Sequence, residues 1–344
     1  MTQMWDEILE QPAVLEKCQI VNEKVIKEIV AEATRRNIQS IIVAARGTSD
    51  HAGVFGKYVM EHELGIPVSL AAPSIYTIYQ KKLKLTGSMM IGISQSGKAA
   101  DVLEALKSAR ECGALTISIT NDPNSPLAIE GMFHLYCNAG LEKSVAATKT
   151  FTAEMFLIAR LVAEWNKNIS LINELNQLSQ TFFQGLDPGI IKTKVERYRF
   201  IQECFVLARG INYAIALESA LKLQETSYVR AKAFATSDFY HGPLAMVEKD
   251  MPVIIYAPNG PTFCDVMQII KRLKENLAEL IVVSNVDDAL KLGDCAFRIP
   301  QTSNDAISPF YNVIIAQVFA CELALLKGFN PDCPRGLNKV TITL

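Results

Sequence analysis

Cysteine pairs are missing from this sequence. Its eight cysteines, at 18, 112, 137, 204, 264, 295, 321 and 333, stand singly, and no Cys-x-x-Cys occurs. That excludes a zinc ribbon or a thioredoxin-type couple and points to reduced thiols. Histidine is scarce too: His51, His62, His134 and His241 form no ligand spacing, so no metal and no organic cofactor are expected. Basic charge is not in excess. Thirty-four Lys and Arg against 36 Asp and Glu leave −2, which excludes a broad positive field for nucleic acid. No uninterrupted apolar run is read as long enough to span a membrane. The start, Met1-Thr-Gln-Met-Trp-Asp-Glu7, is acidic and has no apolar leader core. A cytoplasmic protein with no membrane partner is expected.

What is there is core. Of 344 residues 49% are hydrophobic and 20% charged, enough for about two domains. Helix is expected over 5–36, broken near Pro12. Strands are expected at Ser40–Ala45, Ile66–Ala71, Ser88–Ile93, Leu115–Ile119 and Phe133–Cys137, with helices between most of them. A further helix is expected over about 150–165. Such alternation predicts right-handed crossovers and a parallel sheet covered on both faces, with ligands beyond the carboxyl ends of its strands. The turns at 46–50 and 94–97 lie at such ends, and a third loop runs from Glu142 to Lys149. The second half repeats the first. Ala45-Arg-Gly47 recurs as Ala208-Arg-Gly210, and Asp101, Asn121 and Phe133 recur 164 positions later as Asp265, Asn285 and Phe297. The fold class is therefore α/β, with two tandem copies of one doubly wound parallel-sheet domain.

Ser94-Gln-Ser-Gly97 has two readings. Hydroxyls, an amide and a helix N-terminus can wrap an anion, or the serines merely cap the helix. The second copy has Ala257-Pro-Asn-Gly260 at this place, so an anion site belongs to the first copy. In the second copy Glu218, Lys222 and Glu225 fall on one helical face, either as a surface Glu–Lys pair or as a group facing a site. His241, in Tyr240-His-Gly-Pro243, is a proton carrier or an ordinary loop histidine. Lys339, near the end, reads on chemistry alone as a solvated lysine, and Val340-Thr-Ile-Thr-Leu344 as a strand able to dock.

Ala-Arg-Gly-Thr-Ser49, Ser-Gln-Ser-Gly97, Val-Ala-Ala-Thr-Lys-Thr-Phe-Thr152, His-Gly-Pro-Leu-Ala245 and Pro-Arg-Gly-Leu-Asn-Lys339 occur in one order. That order resembles the tandem sugar-isomerase (SIS) domains of glucosamine-6-phosphate synthase and its relatives, over nearly the whole chain. The resemblance implies a helical segment at 1–36, SIS domains at 37–167 and 197–331 joined by a helical linker at 168–196, and a tail at 332–344 closing the active site. It implies a phosphosugar held by Gly47, Thr48, Ser49, Ser94, Gln95, Ser96 and the Val145-Ala146-Ala147 loop. It implies that Glu225 moves a proton between carbons 1 and 2, beside Lys222 and Glu218. His241 would open the ring from the adjacent subunit of a homodimer with shared active sites, and Lys339 would form a Schiff base with the ketose. Two family hydroxyls are missing, at Ala99 and Ala147. The synthase's preceding glutaminase domain has no counterpart before Met1-Thr-Gln, so amination from glutamine is not expected. Hydrolytic deamination of glucosamine 6-phosphate to fructose 6-phosphate is the leading expectation. A fructosamine-6-phosphate deglycase, a plain aldose–ketose isomerase and a non-catalytic phosphosugar-binding regulator are the alternatives. Retention of Lys339 favours the deaminase within the family.

Overall fold

The computed structural model describes residues 2–339, so the expected strand at 340–344 lies outside the described residues. The chain forms two compact units. One, here the N-terminal unit, gathers residues 10–142, 147–179, 338 and 339; the C-terminal unit gathers 2–9, 143–146 and 180–337.

In the N-terminal unit five strands, β1 (Ser40–Ala44), β2 (Val68–Leu70), β3 (Ser88–Ile93), β4 (Leu115–Thr120) and β5 (Phe133–Tyr136), form one parallel sheet in the order β2-β1-β3-β4-β5. The inner strands β3 and β4 are buried along their whole length, which is why they read as unbroken apolar runs. Ile42, Ala44 and Met90 pack against Val102, Ala105 and Leu106 of the helix Ala100–Glu111. The helix Lys149–Asn166 packs on both Thr48–Leu64 and Gln11–Arg36. β2 is shorter than expected at three residues, an edge strand exposed along one side. The other edge, β5, is closed by a side chain. Asn22 accepts from the Tyr136 N–H at 2.8 Å and donates to the Tyr136 carbonyl at 2.8 Å, standing in for a neighbouring strand.

The expected break near Pro12 falls at Glu10 instead, between helices Gln3–Leu9 and Gln11–Arg36. Proline has no N–H to donate, so it fits in the first turn of the second helix and need not interrupt it.

The C-terminal unit repeats the topology. β6 (Glu203–Ala208), β7 (Arg230–Ala235), β8 (Pro252–Tyr256), β9 (Glu279–Ser284) and β10 (Cys295–Arg298) pair in parallel as β10-β9-β8-β6-β7. Read from the other edge, that is the order of the first sheet strand for strand. Helix Phe263–Glu275 covers one face through Val266, Ile269, Ile270 and Leu273. The helix Ser308–Leu326 packs against the helix Tyr213–Ser227. By length and composition it is long and apolar enough to cross a membrane, although Asn312, Gln317 and Glu322 interrupt its apolar run. Seventeen of its residues are buried, including Glu322, its one charged group, as in a helix at the centre of a folded unit.

Candidate functional site

In the N-terminal unit the Ser94–Gly97 turn continues β3 past its end. The Ser94 N–H still donates to the Ile119 carbonyl (3.1 Å), and the Gly97 N–H returns to the Ser94 carbonyl (3.0 Å). The Gln95 carbonyl accepts from Asn121 N–H (2.9 Å), tying the turn to the exit of β4. Gly97 has φ +63°, and a Cβ there would stand 2.0 Å from Ser125 Oγ, so only glycine fits. The helix that follows is capped by Ala99, with no side-chain hydrogen bond. Ser96 Oγ accepts from the Lys98 N–H, short of the helix. The serines are therefore not helix caps, and of the two readings of this turn the capping one fails. Of the first N–H groups of the helix, that of Val102 donates to Asp101 Oδ1 (2.9 Å), and no side chain caps the helix start beside the two hydroxyls, a place suited to an anion.

The neighbouring turn after β1 has the same form. Gly47, at φ +55°, precedes the helix Thr48–Leu64 and again no side chain caps it. Ser49 is buried and its hydroxyl donates to Glu154 Oε1 at 2.9 Å, so it faces the interior. Arg46 Nε donates to Asp101 Oδ2 at 2.6 Å, joining the two turns.

Glu142 was assigned no role from sequence. Its carboxylate is buried and accepts from the N–H groups of Thr148 (3.0 Å) and Thr150 (3.1 Å), the Thr150 hydroxyl (2.8 Å) and Lys339 Nζ (2.8 Å). Burial pushes its pKa up, but the Lys339 ammonium and these hydrogen bonds outweigh that, and the net shift is downward. Lys339 is thus no solvated lysine: its side chain is 24% exposed and ion-paired. Lys149 is likewise buried, on Glu10 Oε2 (2.6 Å) and the Leu141 carbonyl (2.9 Å). Of the expected sugar loop, Ala147 belongs to this unit, while Val145 and Ala146 cluster with the C-terminal one. There the Val145 N–H meets the Asp332 carbonyl (3.1 Å), and the Glu7 carboxylate takes the N–H groups of Lys143 and Ser144.

In the C-terminal unit the helix Tyr213–Ser227 carries the acid–base face. Lys222 Nζ lies 2.5 Å from Glu225 Oε2 and 3.3 Å from Glu218 Oε1. The side chains of Lys222 and Glu218 are 0% exposed and that of Glu225 is 20% exposed, so the surface-pair reading is wrong. Burial alone would lower the Lys222 pKa; the two carboxylates overcome it and hold the ammonium above its ordinary range. Lys222 lies between the two carboxyl groups, and Glu225 is the member that reaches solvent. His241 is exposed in the turn after the helix Thr236–Phe239, with its N–H on the Asp238 carbonyl. No hydrogen bond or ion pair joins its ring to Glu225. Among the described residues no group of three or more His, Cys, Asp or Glu is placed to hold a metal ion.

Comparison with known proteins agrees with the duplicated fold. The profile of the SIS domain matches the chain twice, over residues 36–163 and 202–327. Glutamine–fructose-6-phosphate aminotransferase (isomerizing) from Aquifex aeolicus (strain VF5) is 36% identical over 313 residues, covering 90% of this chain and 52% of that protein. The chain thus spans about half the length of the curated relatives it matches. The solved C-terminal domain of glucosamine-fructose-6-phosphate aminotransferase from Francisella tularensis superposes with a TM-score of 0.83 at 27% identity, over 97% of this chain and 98% of that one. Glucosamine-6-phosphate deaminase from Thermotoga maritima has a TM-score of 0.78 at 21% identity over 99% and 100% of the two chains, a likeness of fold.

Proposed function

We propose, from the premise that the chain belongs to the SIS domain family, that it acts on a phosphorylated amino sugar, converting glucosamine 6-phosphate and water to fructose 6-phosphate and ammonia. The observation that carries this reading is the buried Glu218–Lys222–Glu225 face, whose outermost member is a carboxyl group held against the Lys222 ammonium. Moving a proton from C2 to C1 of an open-chain aldose needs a fixed base of this kind. In this reading His241, supplied by a second copy in a homodimer, assists ring opening. Glu225 then takes the C2 proton and returns it to C1 while a proton passes from the amino group to O1, leaving an alcohol at C1 and an iminium at C2. The Lys339 amine displaces ammonia from that iminium to form its own imine, and water releases the ketose and the free lysine. The turns at Gly47–Ser49 and Ser94–Ser96 hold the phosphate, and Val145–Ala147 contacts the sugar.

Ammonia and fructose 6-phosphate released in equal amounts from glucosamine 6-phosphate by the purified protein is the expected result. Turnover of a 6-phosphorylated fructosamine without it would make the protein a deglycase. Interconversion of a ketose and an aldose with no ammonia would make it a plain isomerase, and binding with no turnover a sensor. Borohydride added with fructose 6-phosphate is expected to fix the sugar on Lys339. An adduct on Lys222 would remove Lys339 from the scheme.

A further inference from the structure

The two copies carry the same arginine in the same turn and treat it differently. After β1, Arg46 Nε donates to Asp101 in the first turn of the next inner helix, and the Asp101 side chain is 2% exposed. After β6, Arg209 Nε faces Asp265 Oδ2 at 3.4 Å in the equivalent place. In the second copy the rest of the pair is satisfied locally. Thr236 Oγ1 donates to Asp265 Oδ2 at 2.8 Å, and Arg209 Nη1 donates to Ser237 Oγ. Both partners come from the segment after β7, Thr236-Ser-Asp238. The corresponding segment after β2 is Ala71-Ala-Pro73, which has no side-chain polar atom. Neither Nη group of Arg46 makes a hydrogen bond among the described residues, and the side chain is 53% exposed. A guanidinium held by its Nε on a buried carboxylate, with its outer donors open, is oriented for a bidentate anion.

Its position says which anion. The pairing of Ala44 with Gly92 puts Arg46 level with Ser94, at the same end of the sheet. Asp101 stands two residues beyond Ala99, the helix cap without a hydroxyl. We propose that Arg46 is a direct ligand of the sugar phosphate, replacing the hydroxyl missing at Ala99, and that Asp101 is its positioning residue. This rests on the phosphosugar reading above. It makes the first copy's arginine a specificity device and the second copy's a structural clamp.

Binding, measured without turnover, tests it: calorimetry with fructose 6-phosphate and with inorganic phosphate on the intact chain. Arg46→Ala is expected to raise both dissociation constants by about tenfold or more, as for one lost charge-assisted pair. Arg46→Lys recovers part of that, since a point charge replaces a planar fork. Ala99→Thr on the Arg46→Ala background recovers part again, and Arg209→Ala leaves both constants within about twofold. If Arg46→Ala binds both ligands as the unaltered protein does, or Arg209→Ala weakens them equally, the inference is overturned. If the unaltered protein binds neither ligand, the phosphosugar reading itself falls, and the assignment of Arg46 with it. Melting temperatures close to that of the unaltered protein for all four variants exclude unfolding as the cause.

Discussion

The two sheets have one strand order, yet their loops have taken different chemistry. In the second copy the turn after β8 consumes its own polar groups. Pro258 has no N–H, the Asn259 N–H goes to Asn285 Oδ1 at 2.7 Å, and Asn285 Nδ2 binds both Asn259 Oδ1 and the Pro300 carbonyl. In the first copy the matching Asn121 turns away to Ala139 and Gly140, leaving the hydroxyls of Ser94 and Ser96 in place beside a helix start. The reverse holds for the helices that follow β1 and β6. Thr48–Leu64 buries glycines and alanine, whereas Tyr213–Ser227 buries an ammonium between two carboxylates. In the proposed reading one backbone plan divides the work, with donors for an anion in one copy and a base in the other.

That division is open to attack. The largest effect is expected from Glu225→Gln, a loss of about a thousandfold or more in turnover with affinity for fructose 6-phosphate little changed. The double change Ser94→Ala, Ser96→Ala should do the opposite, weakening affinity far more than turnover. Reversed behaviour in steady-state kinetics and calorimetry would break the comparison. Next comes Lys222→Ala, which leaves two carboxylates facing each other in the interior. It should cost about 3 kcal/mol or more in denaturant unfolding at pH 7. The loss should shrink toward pH 5 as one carboxylate takes a proton. In the unaltered protein the ammonium is held above its ordinary value, so its stabilisation is complete below about pH 10 and is lost only as pH rises through the folded value. Gly97→Ala follows, at about 1–2 kcal/mol from the positive φ together with the contact on Ser125, and with weaker phosphate binding. The smallest is Glu142→Gln, about 1 kcal/mol. The Glu142 carboxyl lies below its unfolded value, so its contribution is whole above about pH 4.3 and disappears as pH falls through the lower folded value. Urea unfolding from pH 7 down to pH 3 should therefore show a constant difference between the two proteins that closes only at the acid end.

How much of this was legible depended on the range of the interaction. The buried inner strands and the Ser94–Gly97 turn are local patterns, and the repeat exposed the second domain. β7, Arg-Ala-Lys-Ala-Phe-Ala235, was not singled out, since alternating charge and alanine carries a weak strand signal. The helix Ser308–Leu326 also escaped, because a segment apolar on all sides has no helical period to read. The spacing leaves the burial of Lys222 open, because an i, i+4 pair looks the same on a surface and in a core. Glu142 stayed invisible as a partner of Lys339 because 197 residues separate them.

The helix Gln3–Leu9 has one further consequence, in the timing of synthesis. Glu7 accepts the backbone N–H of Lys143, and the two stand 136 positions apart in the chain. At about 5–20 residues per second, the carboxylate leaves the ribosome roughly 7–27 s before its partner exists. One side of this contact is thus made well before the loop that it fixes. The contact can close only after the fourth and fifth strands have been delivered.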